Sequence, residues 1–326
     1  MHILIVNNST IPALKYGGTE RIIWWLGKQL VKMGHELSLL VNKGSYCPFG
    51  NVYELDDTLP FNSQVPPGVN VIHLFTGTNE KPSKPYLITL EGNISEPVEL
   101  DTNTVFVSRN HANRYGSNCF VYNCLDTDDY GKPDLASKRS YVHFLAHAAW
   151  KVKNVRGAIQ IAKEAHVPLH IMGGYRFNFN MGIRLTFDPN THFYGMTGGT
   201  KKNKILNASK ALLNPVLWNE PFGIAMIESL YFGCPVIGTP YGSLPEIVIK
   251  EVGYLSSKKD DLVEALKNAD SYDRTVCHDY IMENFTVDKM ASQYLELYEK
   301  VLGKENLNPL PPKLMEVQKE KLLPFN

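Results

Sequence analysis

Short apolar runs alternate with amphipathic stretches along almost the whole chain, and this pattern closes a core most readily as parallel sheets flanked by helices. Residues 2–6 (HILIV) read as a strand, 20–32 as a helix and 36–41 (ELSLLV) as a second strand. Further strands are predicted at 69–75, 86–90, 104–107 and 119–123, completing one Rossmann-like half. The stretch LDTDDYGKPDLASK is polar, aperiodic and broken by Pro and Gly, which is the composition of a linker. After it the alternation restarts: strand 141–145, helix 154–165, strand 168–172, helix 204–210, strand 211–213, a helix opening after Gly223, strands 235–237 and 253–255, and three more helical patterns ending near Leu302. Residues 175–190 show no clear period and receive no assignment.

The expected organisation is therefore an α/β chain with an N-terminal domain at 1–124, a linker at 125–139, a C-terminal domain at 140–304 and a tail at 305–326. A length of 326 residues suits two domains. The tail has a Pro break followed by an amphipathic turn, 313–323, expected to pack back on the body.

Composition removes several classes of function. Thirty-three Lys and Arg balance 33 Asp and Glu, so no global field attracts nucleic acid, and an anionic ligand must be caught locally. Five scattered cysteines suggest neither a disulfide framework nor a zinc site. The opening MHILIV reads as a strand rather than a leader and is too short for a signal peptide or a membrane span. A cytoplasmic protein is expected.

The most informative stretch is NEPFGIAMIESLYFGCPVIGTPYGSLPE, residues 219–246. Pro221 and Gly223 break the helical pattern before Ile224, placing Glu220 in the loop at a helix start and Glu228 within the helix. Were the span helical, the two acids would stand roughly 12 Å apart along the axis. The amides of Phe222, Gly223 and Ile224 form an anion seat between them, and Gly223 lets a phosphate approach the backbone. One segment can thus grip both ends and the middle of a sugar nucleotide. Read without a ligand, Glu220 is a favourable first-turn acid and Glu228 a solvated helix residue.

EPFGIAMIE resembles the E-x7-E signature of retaining glycosyltransferases with the two-Rossmann GT-B fold, and GCPVIGTPYGSLPEIV is similar to the G-x-P-V-I…G-G-x-x-E run of glycosyltransferase family 4, with Ser243 where a second glycine is usual. The resemblance implies Rossmann-like domains facing across a cleft, with a C-terminal helix packing back on the N-terminal domain. It also implies that Glu220 contacts the donor sugar, that Glu228 binds the ribose, and that Phe222, Gly223 and Ile224 supply diphosphate-binding amides.

In FLAHAAWKVKNVRGA, Lys153 matches the family's phosphate-binding lysine. The arginine that usually accompanies it falls on His147, which can equally be a loop histidine bonded to backbone. In ALKYGGTERIIWWLGKQL, Gly17, Gly18 and Thr19 match a G-G-x-E-R stretch that in the family faces the diphosphate and acceptor. The apolar residues of that helix exceed one face; the alternatives are burial of Ile22, Trp25 and Leu26 on the sheet or contact with a membrane. In PYLITLEGN, Glu91 replaces a histidine that touches the sugar; it can accept a sugar or acceptor hydroxyl, act as a base, or be a plain loop acid. Asp126-Thr127-Asp128 is formally the metal-binding triplet of GT-A enzymes, but its place in the predicted linker makes it a turn, and neither metal nor other cofactor is expected.

The expected activity is retaining, metal-independent transfer of a hexose-type sugar from a nucleotide diphosphate sugar, UDP favoured and GDP admissible, to a glycan or lipid-linked acceptor such as a surface polysaccharide precursor. A peripheral membrane contact would follow from a lipid-linked acceptor. The alternatives are a catalytically degenerate nucleotide-sugar-binding scaffold and a GT-B sugar-nucleotide epimerase.

Overall fold

The computed structural model describes residues 1–13, 17–318 and 320–326. The chain folds into two compact units, Met1–Cys124 with Val287–Val317, and Leu125–Thr286 with Gln318–Asn326.

In the first unit the elements run β1 (His2–Val6), α1 (Gly18–Lys32), β2 (Glu36–Val41), β3 (Asn51–Glu54), β4 (Val71–Leu74), β5 (Tyr86–Leu90), β6 (Thr104–Phe106) and α2 (Arg109–Arg114). They form a parallel six-stranded sheet in the order β3-β2-β1-β4-β5-β6. All five residues of β1 are buried, as a central strand covered on both faces requires. The edge strand β3 escapes sequence detection because all four of its residues are exposed, leaving no apolar pattern to read. The strand expected at 119–123 does not form. That segment meets the sheet at one bridge, Phe106 with Phe120, and no second rung follows.

The second unit runs β7 (Tyr141–Leu145), α3 (Val155–Glu164), β8 (Leu169–Met172), β9 (Phe177–Asn178), β10 (Arg184–Leu185), β11 (Thr191–Phe193), α4 (Gly199–Asn207), β12 (Ser209–Asn214), α5 (Ile224–Tyr231), β13 (Val236–Gly238), α6 (Leu244–Ile247), β14 (Gly253–Leu255), α7 (Lys259–Lys267) and α8 (Arg274–Asn284). Its parallel sheet has the order β11-β8-β7-β12-β13-β14, while β9 and β10 pair as a separate antiparallel hairpin. Both sheets reverse direction of strand addition beside their first strand, which is the doubly wound arrangement. Val142, Phe144, Ile161, Leu213 and Leu262 pack together under the second sheet. Helix α4 starts five residues earlier than predicted, at Gly199, and β12 begins at Ser209 rather than 211.

The chain then returns to the first unit through α9 (Val287–Leu302), which packs on α1. A polar chain anchors it there: Tyr298 Oη lies 2.7 Å from His73 Nδ1, His73 Nε2 2.7 Å from Thr89 Oγ1, and Thr89 Oγ1 2.9 Å from Tyr294 Oη. The C-terminal helix thus packs on the N-terminal unit, whereas the sequence boundaries placed 287–304 in the second domain. Residues 125–139, expected as a linker, belong to the second unit. The tail forms no helix over 313–318; Lys313 instead bridges Glu99, and Leu314 is buried near Phe106 and Tyr115.

Candidate functional site

In the second unit, the loop after β12 carries Glu220, and three local features fix its place. Gly242, at φ +65°, passes so close that a Cβ there would lie 2.2 Å from the Glu220 nitrogen. The Ser243 amide donates to the Glu220 carbonyl at 2.9 Å. The Ser243 hydroxyl donates to the Phe222 carbonyl at 2.6 Å, so the serine that replaces the family's glycine ties the loop down. Gly223 then opens α5 at φ +87°, a conformation that favours glycine.

A turn over Lys151–Lys153 follows β7 and is tied to this loop by the Leu217 amide, which donates to the Val152 carbonyl at 2.7 Å. The result is a compact cluster. Lys153 Nζ lies 2.6 Å from Glu220 Oε2, Trp218 Nε1 donates to the same oxygen at 2.8 Å, and the ammonium stands 4.9 Å from the Trp218 ring centroid. Both ionic side chains are nearly buried, 11 % and 8 % exposed, so each depends on the other for its charge partner. The Phe222 ring is buried against Phe285, leaving only its backbone for a ligand. Gly223, Ile224 and Ala225 are half-exposed, and amides in the first turn of a helix lack an intrahelical carbonyl partner.

Glu228 lies on the same helix in a second cluster. Its Oε1 accepts from Lys202 Nζ and from Tyr130 Oη, the latter at 2.6 Å, and the Lys202 ammonium stands 5.1 Å from the Tyr130 ring centroid. The residue is 1 % exposed, far from the solvated helix acid that its sequence position alone allows. Sequence reading missed both partners, since Lys202 lies in a lysine-rich, polar helix and Tyr130 in the predicted linker. Beneath α5, His143 bonds Ser209 Oγ at 2.7 Å and Ser229 Oγ at 2.8 Å, and burial pulls its pKa down to about 3. That neutral histidine anchors α5 to the sheet. His147 is half-buried on the loop after β7 and stacks on Trp150, with centroids 5.5 Å apart.

The first unit holds the remaining candidates. Gly17 caps α1, and a Cβ there would lie 2.8 Å from the Ala13 Cβ, so a side chain at this position would crowd the preceding loop. Gly18 and Thr19 open the helix and are half-buried; residues 14–16 of the quoted stretch lie outside the described residues. Ile22, Ile23, Trp25 and Leu26 are buried, and Trp24 packs edge-on against Phe49. The helix therefore spends its apolar residues on the protein interior.

Glu91 follows β5. Asn123 Nδ2 donates to its Oε2 at 2.8 Å, while Oε1 is shut off from solvent without a hydrogen-bond partner. Part of the side chain is accessible, but the carboxyl oxygens govern its charge. Burial raises its pKa to about 7, the Asn123 bond opposes that rise, and the Glu20 charge reinforces it. Asp126 accepts from the Asp128 amide at 3.2 Å and so caps a turn. Among the described residues, no group of three or more His, Cys, Asp or Glu stands arranged to hold a metal, and no helix is long and apolar enough to cross a membrane.

Residues 127–273 match the family model described as glycosyl transferases group 1. The matched residues lie within the second unit. This region contains Lys153, His147, Glu220 and Glu228, whereas Gly17, Gly18, Thr19 and Glu91 lie outside it. Over 206 residues the chain is 26 % identical to N-acetyl-alpha-D-glucosaminyl L-malate synthase of Bacillus anthracis, covering 56 % of this chain and 53 % of that protein. The chain thus spans about half the length of that relative. AviGT4, a glycosyltransferase of avilamycin A biosynthesis, superposes with TM-score 0.74 at 18 % identity, covering 93 % of this chain and 98 % of that one. Anabaena HepE, solved with UDP-glucose, gives TM-score 0.65 at 14 % identity, covering 92 % and 100 %. The fold is α/β, with two Rossmann-like units of the GT-B type.

Proposed function

We propose that this protein is a retaining glycosyltransferase that moves a hexose-type sugar from a nucleotide diphosphate sugar to a glycan or lipid-linked acceptor, without a catalytic metal. The observation that carries the reading is the second unit's pair of carboxylates, each partnered by a lysine, on either side of the first turn of α5. Glu220 and Lys153 lie at the sugar and phosphate end. The amides of Phe222, Gly223 and Ile224 take the diphosphate, His147 is assigned to it as well, and Glu228 faces the ribose. Because Glu228 is closed in by Lys202 and Tyr130, a ribose hydroxyl reaches it only when one of these yields. Gly17, Gly18 and Thr19 are assigned to the diphosphate and Glu91 to an acceptor or sugar hydroxyl. HepE was solved with UDP-glucose, which supports UDP as the first base to try.

In the reaction, the acceptor oxygen forms a bond to the anomeric carbon while the bond from that carbon to the diphosphate oxygen breaks. The electron pair leaves with the diphosphate, and the acceptor proton passes to a departing diphosphate oxygen. Lys153 and the helix amides stabilise the charge that develops there, usually the largest catalytic contribution.

A thermal-shift series with UDP, GDP and ADP sugars, followed by donor turnover with an acceptor panel, tests the reading. At a hundredfold excess over its dissociation constant the correct donor stabilises by about 2.7 kcal/mol. Silence towards every nucleotide would remove the donor site. Binding without turnover across the panel would favour the scaffold alternative.

A further inference from the structure

Residues 175–187 form a hairpin that received no assignment from the sequence. Every odd position from Tyr175 to Phe187 carries a large apolar side chain, and Phe179, Met181, Ile183 and Phe187 are 65–77 % exposed. Side chains alternate along paired strands, so Phe177 and Leu185 share one face, and Phe179, Met181 and Ile183 lie in the exposed turn between the strands. Phe177 pairs with Leu185, and the Phe177 and Phe187 rings lie 5.9 Å apart.

Arg176, Asn178, Arg184 and Thr186, at even positions, bond within the protein. Arg184 is buried, donates to the Tyr175 carbonyl at 2.8 Å and stands 4.9 Å from the Phe193 ring centroid. Arg176 donates to the Thr186 and Asp188 carbonyls, and Asn178 closes the turn through the Asn180 and Gly182 carbonyls. The hairpin is therefore held by its polar face, and its apolar face is left without cover.

Charge indicates what covers it. No Asp or Glu lies between 175 and 187. A cavity of about 470 Å³ beside the hairpin tip is lined by Lys151, Arg156 and Arg184 with no acidic residue. Arg156 reaches the tip itself, donating to the Ile183 carbonyl at 2.6 Å, and a Cβ on Gly182 would lie 3.6 Å from Lys151 Cε. An apolar tip flanked by two exposed cations, Lys151 and Arg156, complements the acyl boundary and phosphates of an anionic bilayer.

We propose that the 175–187 hairpin inserts its apolar face into an anionic membrane surface, with Lys151 and Arg156 meeting the lipid phosphates. The inference concerns a surface of the second unit and goes beyond the transfer reaction; it holds whichever sugar or acceptor is used.

The test is sedimentation of the full chain with vesicles of mixed phosphatidylglycerol and phosphatidylcholine, and of phosphatidylcholine alone. The expected result is binding to the anionic vesicles that falls about tenfold or more when Phe179, Ile183 and Phe187 are changed to Ser. Lys151→Gln with Arg156→Gln should lose about tenfold on anionic vesicles and little on neutral ones. Vesicles should also slow chymotryptic cleavage after Phe179 and Phe187 in the unaltered chain, a readout independent of how the variants fold. A wild-type chain that stays in the supernatant, or a triple variant that melts and sediments like wild type, overturns the proposal. So does a hairpin-dependent dimer that ignores vesicles, which would assign the face to a second copy of the chain.

Discussion

Glu220 and Glu228 in the second unit and Glu91 in the first are all carboxylates withdrawn from water, yet they are solvated by the protein in opposite ways. Glu220 meets Lys153 and the Trp218 indole, and Glu228 meets Lys202 and Tyr130. Glu91 has one amide partner, a second carboxylate nearby in Glu20, and a pKa raised to about 7. The two acids of the second unit each meet a lysine, whereas Glu91 has no cation beside it among the described residues and burial sets the direction of its shift. The contrast lies in the partners: lysines close in the acids of the second unit, and an amide closes in that of the first.

The sharpest way to break this contrast is to remove the first pair. Under the proposed function, Lys153→Met should lower donor turnover by about two to three orders of magnitude, the range seen when one preorganised transition-state donor is lost. Glu220→Gln should fall comparably. Steady-state kinetics with a saturating donor would decide, and a variant with full kcat would return this pair to a purely structural role. In the other cluster, Lys202→Met leaves Glu228 buried without its cation, and should cost about 3–5 kcal/mol in urea unfolding. A loss below 1 kcal/mol would mean that solvent reaches Glu228 readily.

The comparison sharpens further with pH. The pKa of Glu91 when folded lies above its usual 4.5, so the folded state holds this proton more tightly than the unfolded one. Its contribution to stability is therefore complete below about 4.5 and is lost as pH rises to about 7. Glu91→Gln should abolish that decline, so that the melting temperatures of variant and wild type converge near pH 4.5 and diverge, variant higher, by pH 8. Buried His73 and His143, both held down to about 3, act in the other direction: stability falls as pH drops from 6.5 towards 3. Melting curves across pH 3–8 separate the two limbs, and a Glu91→Gln chain that retains the neutral decline would locate it in another group.

The order of strands and helices was legible because a buried parallel strand is a run of apolar residues, as in HILIV and ELSLLV, and because α5 is announced by Pro221 and Gly223. The 219–246 segment was legible because both of its acids and the helix start between them sit within one short stretch. Glu228's partners were hidden, because Lys202 and Tyr130 lie 26 and 98 residues away from it and come from elements with unremarkable local patterns. Edge strand β3 was hidden because exposure erases periodicity. The 175–187 hairpin was missed although its period of two, apolar residues alternating with Arg, Asn, Gly and Thr, is present in the sequence. Helix α9 changed units through hydroxyl and imidazole contacts that no pattern along the chain records.

The smallest expected effect tests whether a departure from the family pattern is structural. Ser243 stands where glycine is usual, and its hydroxyl holds the Phe222 carbonyl at 2.6 Å in a buried position. Ser243→Gly removes that bond and adds backbone freedom to the unfolded chain, together about 1–2 kcal/mol of stability. The Ser243 amide still donates to Glu220, so the carboxylate keeps its place and turnover should change by less than about threefold, under 1 kcal/mol in barrier. Denaturant unfolding and kcat measured on the same preparation distinguish the cases: lost stability with retained turnover makes Ser243 a brace for the donor loop. Lost turnover with retained stability would make it part of the site.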